Sequence, residues 1–189
     1  MGLARRPRRP PRPPVRRPAD PARHLGDPLT PSDFVEAVAG FATGVVVLTV
    51  RDGRDDLGTT VTSFMSVSLE PPMVLAGVAS SSYLAEVLSR TDRWAATVLG
   101  AGQRALAGRF AAEGRPSARL LLASEPHHRG EASGALIPDS GVTALECETR
   151  QRIEAGDHTL FTAEVLTTDY VARDQKPLIR VNRRYLGGE

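Results

Sequence analysis

The sequence predicts a mainly β protein, an antiparallel barrel closed on itself with helical insertions. Short β-branched and apolar runs recur along the chain, polar turn residues separate them at hairpin spacing, and only brief stretches between them switch to helical spacing. The 189 residues are 41% hydrophobic and 24% charged, an ordinary composition for one globular domain. That excludes a fibre, a wholly disordered chain and a disulfide scaffold. Cys147 is the only cysteine, so neither an intramolecular disulfide nor a multi-thiolate metal centre can form, and a reducing, cytoplasmic setting is expected. The longest apolar runs, such as Val45 to Val50, fall far short of the ~20 residues that cross a bilayer.

The elements follow in order. Thr30-Pro31-Ser32-Asp33 has the form of a helix start, with a capping hydroxyl, proline at the first helical position and an acid placed for a capping box. Phe34, Val35, Val38 and Phe41 supply its apolar face, and Gly40 and Gly44 end it. Val45 to Val50 is a continuous β-branched run, read as a buried strand. Asp52-Gly53 lies in a polar turn before a second strand, Leu57 to Phe64. Pro71-Pro72 breaks the chain ahead of a third strand, Met73 to Val78; Ser80-Ser81-Ser82 then caps a helix over Tyr83 to Arg90. Further strands are expected at Arg93 to Leu99, Val142 to Ile153, His158 to Thr168 and Leu178 to Tyr185, with a helix over Gln103 to Ala112 and a loop-rich stretch at 113–140.

Charge divides the chain in two. Residues 1 to 24 hold eight arginines against Asp20, a charge of +7, which leaves −5 on the remainder to reach the overall +2. Seven prolines lie in the same stretch. Residues 1–26 are therefore read as a disordered, dispensable tail and 27–189 as the domain. No apolar stretch follows the arginines to make a secretory signal. Charge alone would draw the tail to nucleic acid, but 23 of the 24 basic residues are arginine, a chain-wide bias rather than a binding signature. Neither nucleic acid nor a membrane is expected as a partner.

Four constellations carry possible chemistry. Gly58 to Ser68 is dense in hydroxyls; on a strand they would line one face with short donors for a phosphate or a flat heteroaromatic ring, or simply express the β propensity of threonine. Ser80-Ser81-Ser82 at a strand-to-helix junction suits a phosphate or ordinary capping. Gly100-Ala101-Gly102-Gln103-Arg104-Ala105 fits the dinucleotide pattern, with Glu125 downstream. A Rossmann domain, however, needs repeated βαβ units, and the flanking chain reads as hairpins. Gly156-Asp157-His158 delivers a histidine to the first position of a strand. His127 and His128 are neighbours that would face opposite ways on a strand. No H-E-x-x-H or G-x-S-x-G motif is present, so no metal centre or hydrolase nucleophile is expected.

In order and spacing these pieces resemble the flavin reductase family, FMN-binding split-barrel proteins that serve as reductase components of two-component monooxygenases. The resemblance runs through Phe41 to Thr49, Gly58 to Pro72 (ending S-V-S-L-E-P-P), Trp94 to Phe110, Leu145-Glu146-Cys147, G-D-H-T-L-F at Gly156 to Phe161 with Glu164-Val165, and Pro177 to Tyr185. It spans residues 30 to 186, and the S-V-S-L-E-P-P and G-D-H stretches are its most specific parts. It implies an antiparallel split barrel, a homodimer, and hydride transfer from NADH or NADPH to FMN or FAD, with the reduced flavin supplied to a partner monooxygenase. A carrier or sensor without turnover, or an oxidase or oxygenase on the same barrel, is the alternative. The family pattern places Thr60, Val61, Thr62, Ser63, Ser66 and Val67 on the flavin ring and ribityl chain, and Ser80, Ser81 and Ser82 on its phosphate. It puts His158 on the nicotinamide side as the catalytic residue, and Tyr185 near the same pocket. Departures are Val61 where alanine or cysteine is common, Ala79 in place of a polar residue, and Ala163 in place of glycine.

Overall fold

The computed structural model describes residues 28–53 and 55–186; the expected tail at 1–26 lies outside them. In chain order the elements are α1 (Pro31–Ala39), β1 (Thr43–Gly44), β2 (Val46–Asp52), β3 (Asp55–Val61), β4 (Phe64–Leu69), β5 (Pro72–Ala79), α2 (Tyr83–Arg90) and β6 (Arg93–Val98). They continue with α3 (Arg104–Ala111), α4 (Ala118–Leu121), β7 (His127–Arg129), β8 (Leu136–Pro138), β9 (Thr143–Ala155), β10 (His158–Val171), β11 (Ile179–Val181) and β12 (Arg184–Leu186).

Seven strands form one sheet in the order β3-β2-β6-β9-β10-β5-β4, antiparallel at every pairing. Its two edges, β3 and β4, are consecutive in the chain and separated only by Thr62 and Ser63. So short a link forces the sheet to curl until its edges meet. They do not pair with each other, which leaves a seam spanned by the Thr62-Ser63 crossover: an antiparallel split barrel, as expected. The single strand expected over Leu57 to Phe64 is thus two, because Thr62 and Ser63 carry the chain across the seam. Likewise Leu178 to Tyr185 is a hairpin, not one strand. Asn182 (φ 48°) and Arg183 (φ 60°) both take left-handed backbone at its turn, as a tight hairpin demands. For arginine that conformation costs on the order of 1 kcal/mol. The loop-rich segment holds α4 and the β7–β8 hairpin.

Two large apolar cores flank the sheet, with a smaller cluster of Ala95, Ala135, Ile137 and Ala144 beside them. Val46, Leu48 and Val50 of β2 point into the barrel with Trp94, Phe161 and, from α2, Val87 and Leu88. Val45 and Val47 point outward against Leu106 and Phe110 of α3, and Leu178. Burial on both faces explains the unbroken apolar run in the sequence. Gly58 admits the outer core, since a Cβ there would lie 2.5 Å from the Phe110 ring. Trp94 is fully buried, and its indole N–H donates to Thr149 Oγ1 at 2.9 Å.

The first helix departs from expectation. Its cap forms as read: Thr30 Oγ1 accepts from the Asp33 N–H, and the Asp33 carboxylate accepts from the Thr30 N–H at 3.1 Å. No α1 residue is buried, however, and Phe34 and Phe41 are 54% and 75% exposed. The apolar stripe borders an open hollow, because α1 lies outside the barrel and contributes to neither core.

Candidate functional site

The crossover builds a cleft. Gly77 of β5 donates its N–H to the Ser63 carbonyl at 2.7 Å, and a Cβ at Gly77 would lie 2.9 Å from Ser63 Cβ. Only glycine lets the two backbones approach this closely. The cleft, of 230 Å³, runs between Thr59–Ser63 on one side and Gly77–Ala79 on the other, with Ser82, Arg115 and His158 closing it. A 470 Å³ hollow shares Ser82 and Arg115 with it and adds Ser81 and Tyr83. Across the crossover, Thr62 and Ser63 also border two further hollows that meet at Phe41 and Thr43.

Six of the expected site residues therefore converge on the cleft: Thr60, Val61, Thr62, Ser63, Ser82 and His158. Their hydroxyls are not equivalent. Thr60 Oγ1 donates to the Ala107 carbonyl at 2.7 Å, tying β3 to α3. Ser82 Oγ donates to the Ala79 carbonyl and accepts the Ala85 N–H, so it caps α2. Ser80 lies beside the cleft, its Oγ 2.9 Å from Thr159 Oγ1 and its N–H on the Asp157 carbonyl. The hydroxyls of Thr62, Ser63 and Ser81 have no partner among the described residues, which leaves them available to a ligand.

His158 opens β10 opposite Ala79. A turn at Gly156 (φ 64°) delivers it, and its side chain is 43% exposed. His158 Nδ1 is 2.7 Å from Asp157 Oδ1. A carboxylate only accepts, so Nδ1 carries the proton and Nε2 is left for a ligand. The hydrogen bond from His158 holds the Asp157 carboxyl below its ordinary pKa.

Besides Ser80, three expected residues line none of these cavities. Ser66 and Val67 lie exposed on β4, the sheet edge beyond the crossover. Tyr185, on β12, packs against the outer core. Of the dinucleotide-like glycines, Gly100 serves packing, and Gly102 has open space around it. The Gly100 N–H donates to Gln103 Oε1 at 2.7 Å, a Cβ at Gly100 would meet Gln175 Oε1 at 2.7 Å, and the sheet around them is antiparallel. His127 and His128 diverge as expected: His127 Nδ1 lies 2.8 Å from the Glu125 carbonyl, while His128 reaches Asp139 and Asp169.

Arg115 was not legible beforehand. Its Nε donates to the Gly58 carbonyl at 2.6 Å and an Nη to Ala112 at 3.3 Å. It pairs with no carboxylate among the described residues, and burial pulls its pKa below the usual arginine value. A half-buried cation lacking a counterion, between two cavities, is an anion site in waiting. Nothing local in the sequence marks it, because it sits in a loop of an arginine-rich chain.

A model of the flavin reductase like domain matches residues 38–189. The chain belongs to the flavin reductase family. It is 37% identical to an NADH-dependent FAD reductase of Streptomyces globisporus, over 82% of this chain and 85% of the relative. It is 34% identical to the reductase component of a 4-hydroxyphenylacetate 3-monooxygenase from Thermus thermophilus, covering 80% and 93%. The solved NADH:FAD oxidoreductase of Streptomyces globisporus C-1027 superposes with a TM-score of 0.80 at 32% identity, over 89% of this chain and 99% of that one. The flavin reductase component of a bacterial two-component tryptophan halogenase gives 0.76 at 29%, covering 82% and 96%.

Proposed function

We propose that the chain is an NADH-dependent flavin reductase that passes reduced FMN or FAD to a monooxygenase partner. The observation that carries this reading is the crossover cleft, where unpartnered hydroxyls, a glycine cradle and an unpaired arginine meet beside a histidine. These groups fit a flavin. Thr62 and Ser63 offer donors to the polar edge of a ring system or a ribityl chain, and Ser81 and Arg115 offer donors and charge to a phosphate. The flavin when bound supplies the hydride acceptor for NADH, so the protein needs no nucleophile, acid or base of its own.

The chain's part is placement. Gly77 holds the crossover against β5, which fixes Thr62 and Ser63. Asp157 fixes the His158 tautomer, so Nε2 faces the nicotinamide side with a constant orientation. Arg115, already half-buried, loses less hydration than an exposed arginine would when an anion arrives. Ser66 and Val67 meet the flavin from the β4 edge, and Tyr185 adds a wall through its neighbours rather than by lining the cleft itself.

β4 exposes Met65, Val67 and Leu69 (89% for Leu69) along an unpaired edge. A second copy of the chain covering that edge makes the homodimer and protects it from open-ended pairing. No helix among the described residues is long and apolar enough to cross a membrane; a cytoplasmic location, where NADH is available, completes the reading. The test is steady-state NADH oxidation with FMN, FAD or no flavin added. Oxidation that depends on flavin supports the reading, whereas flavin binding without NADH turnover would make the protein a carrier or sensor.

A further inference from the structure

Beyond the cleft, an unassigned 380 Å³ hollow lies between α1 and the β11–β12 hairpin. Val35, Val38 and Phe41 line one side, Arg180 and Arg183 the other, and Thr62 and Ser63 form a wall shared with the flavin cleft. The hairpin is fastened to α1 by the Asn182 N–H, which donates to the Ala39 carbonyl at 2.6 Å.

Both arginines are exposed, and Arg183 is unusual in its backbone. Neither has an ion pair or side-chain hydrogen bond among the described residues, although Glu36 borders an adjoining hollow with Arg183. Arg183 also holds left-handed backbone, φ 60°, a conformation that favours glycine or asparagine. A long cation kept at a turn position against its conformational preference, facing an apolar hollow, marks a functional position rather than a packing solution.

Charge counting indicates the occupant. The reaction brings together two phosphate-bearing ligands. Arg115, with Ser81, stands at one end of the Thr59–Ser63 wall; Arg180 and Arg183 stand across the crossover at the other. One ligand anchored at Arg115 leaves the second arginine pair for the other. We propose that this hollow is the subsite for the adenylate half of NADH, with Arg180 and Arg183 on its phosphates and Val35, Val38 and Phe41 against its apolar surface. The inference rests on the reductase reading above and adds the residues that select the dinucleotide.

Arg183→Gly tests it, because glycine suits the backbone and removes only the guanidinium; Arg180→Gln is the companion. Each variant is assayed with NADH and with reduced nicotinamide mononucleotide, which lacks the adenylate half. Binding of NAD⁺ and of FAD is measured separately, by calorimetry and by flavin fluorescence. The expected result is a KM for NADH raised about tenfold per arginine, as loss of a charge-assisted contact implies. NAD⁺ affinity should fall in step, the preference of NADH over the mononucleotide should shrink, and the FAD dissociation constant should hold. An unchanged preference for NADH would overturn the proposal while leaving the reductase reading intact. Weakened FAD binding with unaltered NAD⁺ binding would overturn it too, by assigning the hollow to the flavin. No flavin-dependent NADH oxidation by the unmutated chain would instead remove the reading on which the proposal rests.

Discussion

Asp56 and Arg115 both bury charge against the same β3 strand, and they do so in opposite ways. Asp56 is fully buried and accepts from Arg129 at 2.8 and 3.0 Å and from Arg119 Nε at 2.5 Å. Burial alone would raise its pKa; the bonds from Arg129 and Arg119 outweigh that and hold the carboxyl below its ordinary value. Arg115 has carbonyl partners but no counterion. A charge whose partners are internal fastens the fold, here α4 and β7 onto β3, while one left unpaired in a cavity awaits a partner from outside.

Asp56→Ala has the largest expected effect. It strands two guanidinium groups and should cost about 3 kcal/mol, a fall in Tm of about 10 °C in a chain of this size, read by thermal denaturation. A Tm close to that of the unmutated protein would mean the network contributes nothing to the fold. Arg115→Ala should do the reverse. It removes an uncompensated cation, so Tm should hold or rise, while flavin affinity falls about thirtyfold, the worth of about 2 kcal/mol of charge-assisted hydrogen bonding. Fluorescence titration measures the affinity, and an unchanged value would make Arg115 a structural residue like Arg119.

His158→Ala should have a smaller effect. Loss of one hydrogen bond near the nicotinamide should raise the KM for NADH about fivefold, with the flavin dissociation constant retained. An unchanged KM would take His158 out of the mechanism.

The histidine of the β7–β8 hairpin supplies the mildest contrast. His128 lies between Asp139 (2.5 Å) and Asp169 (3.1 Å). The hydrogen bond to Asp139, ahead of that to Asp169, raises its pKa above 6.5 against the opposing pull of burial. A raised folded-state pKa contributes stability that is complete below the unfolded-state value and lost as pH climbs through the folded one. The Tm advantage of the unmutated chain over His128→Asn should therefore be larger at mildly acid pH than at mildly alkaline pH. An advantage that grows with pH would contradict the assignment.

Much of this was legible in the residues. Val45 to Val50 announced a doubly buried strand, Asp52-Gly53 a hairpin, Thr30 to Asp33 a capped helix, and G-D-H a histidine at a strand start. Those signals are local, arising from steric preference and from hydrogen bonds within a few residues. The crossover was not legible. Threonine and serine continue a strand as readily as they leave one, and only the sheet order, with β3 and β4 at opposite edges, reveals that the chain changes sides at Thr62. For the same reason Ser66 and Val67 were grouped with Thr62 and Ser63, although the crossover sends them to the exposed edge. The place of Tyr185 against the outer core was hidden as well, because the closing hairpin turns at Asn182-Arg183, where no glycine marks it. Arg115 and Arg183 owe their interest to missing partners, a property of the folded surroundings that no sequence spacing encodes.

The central claim is that the crossover cleft holds a flavin in place for reduction by NADH. Anaerobic mixing of the protein and FAD with NADH, followed by flavin absorbance, tests it most directly. The yellow colour should bleach rapidly with the unmutated chain and much more slowly at the same subsaturating FAD with Arg115→Ala. Persistent yellow colour in the unmutated protein, or bleaching at equal rates in both, would contradict it.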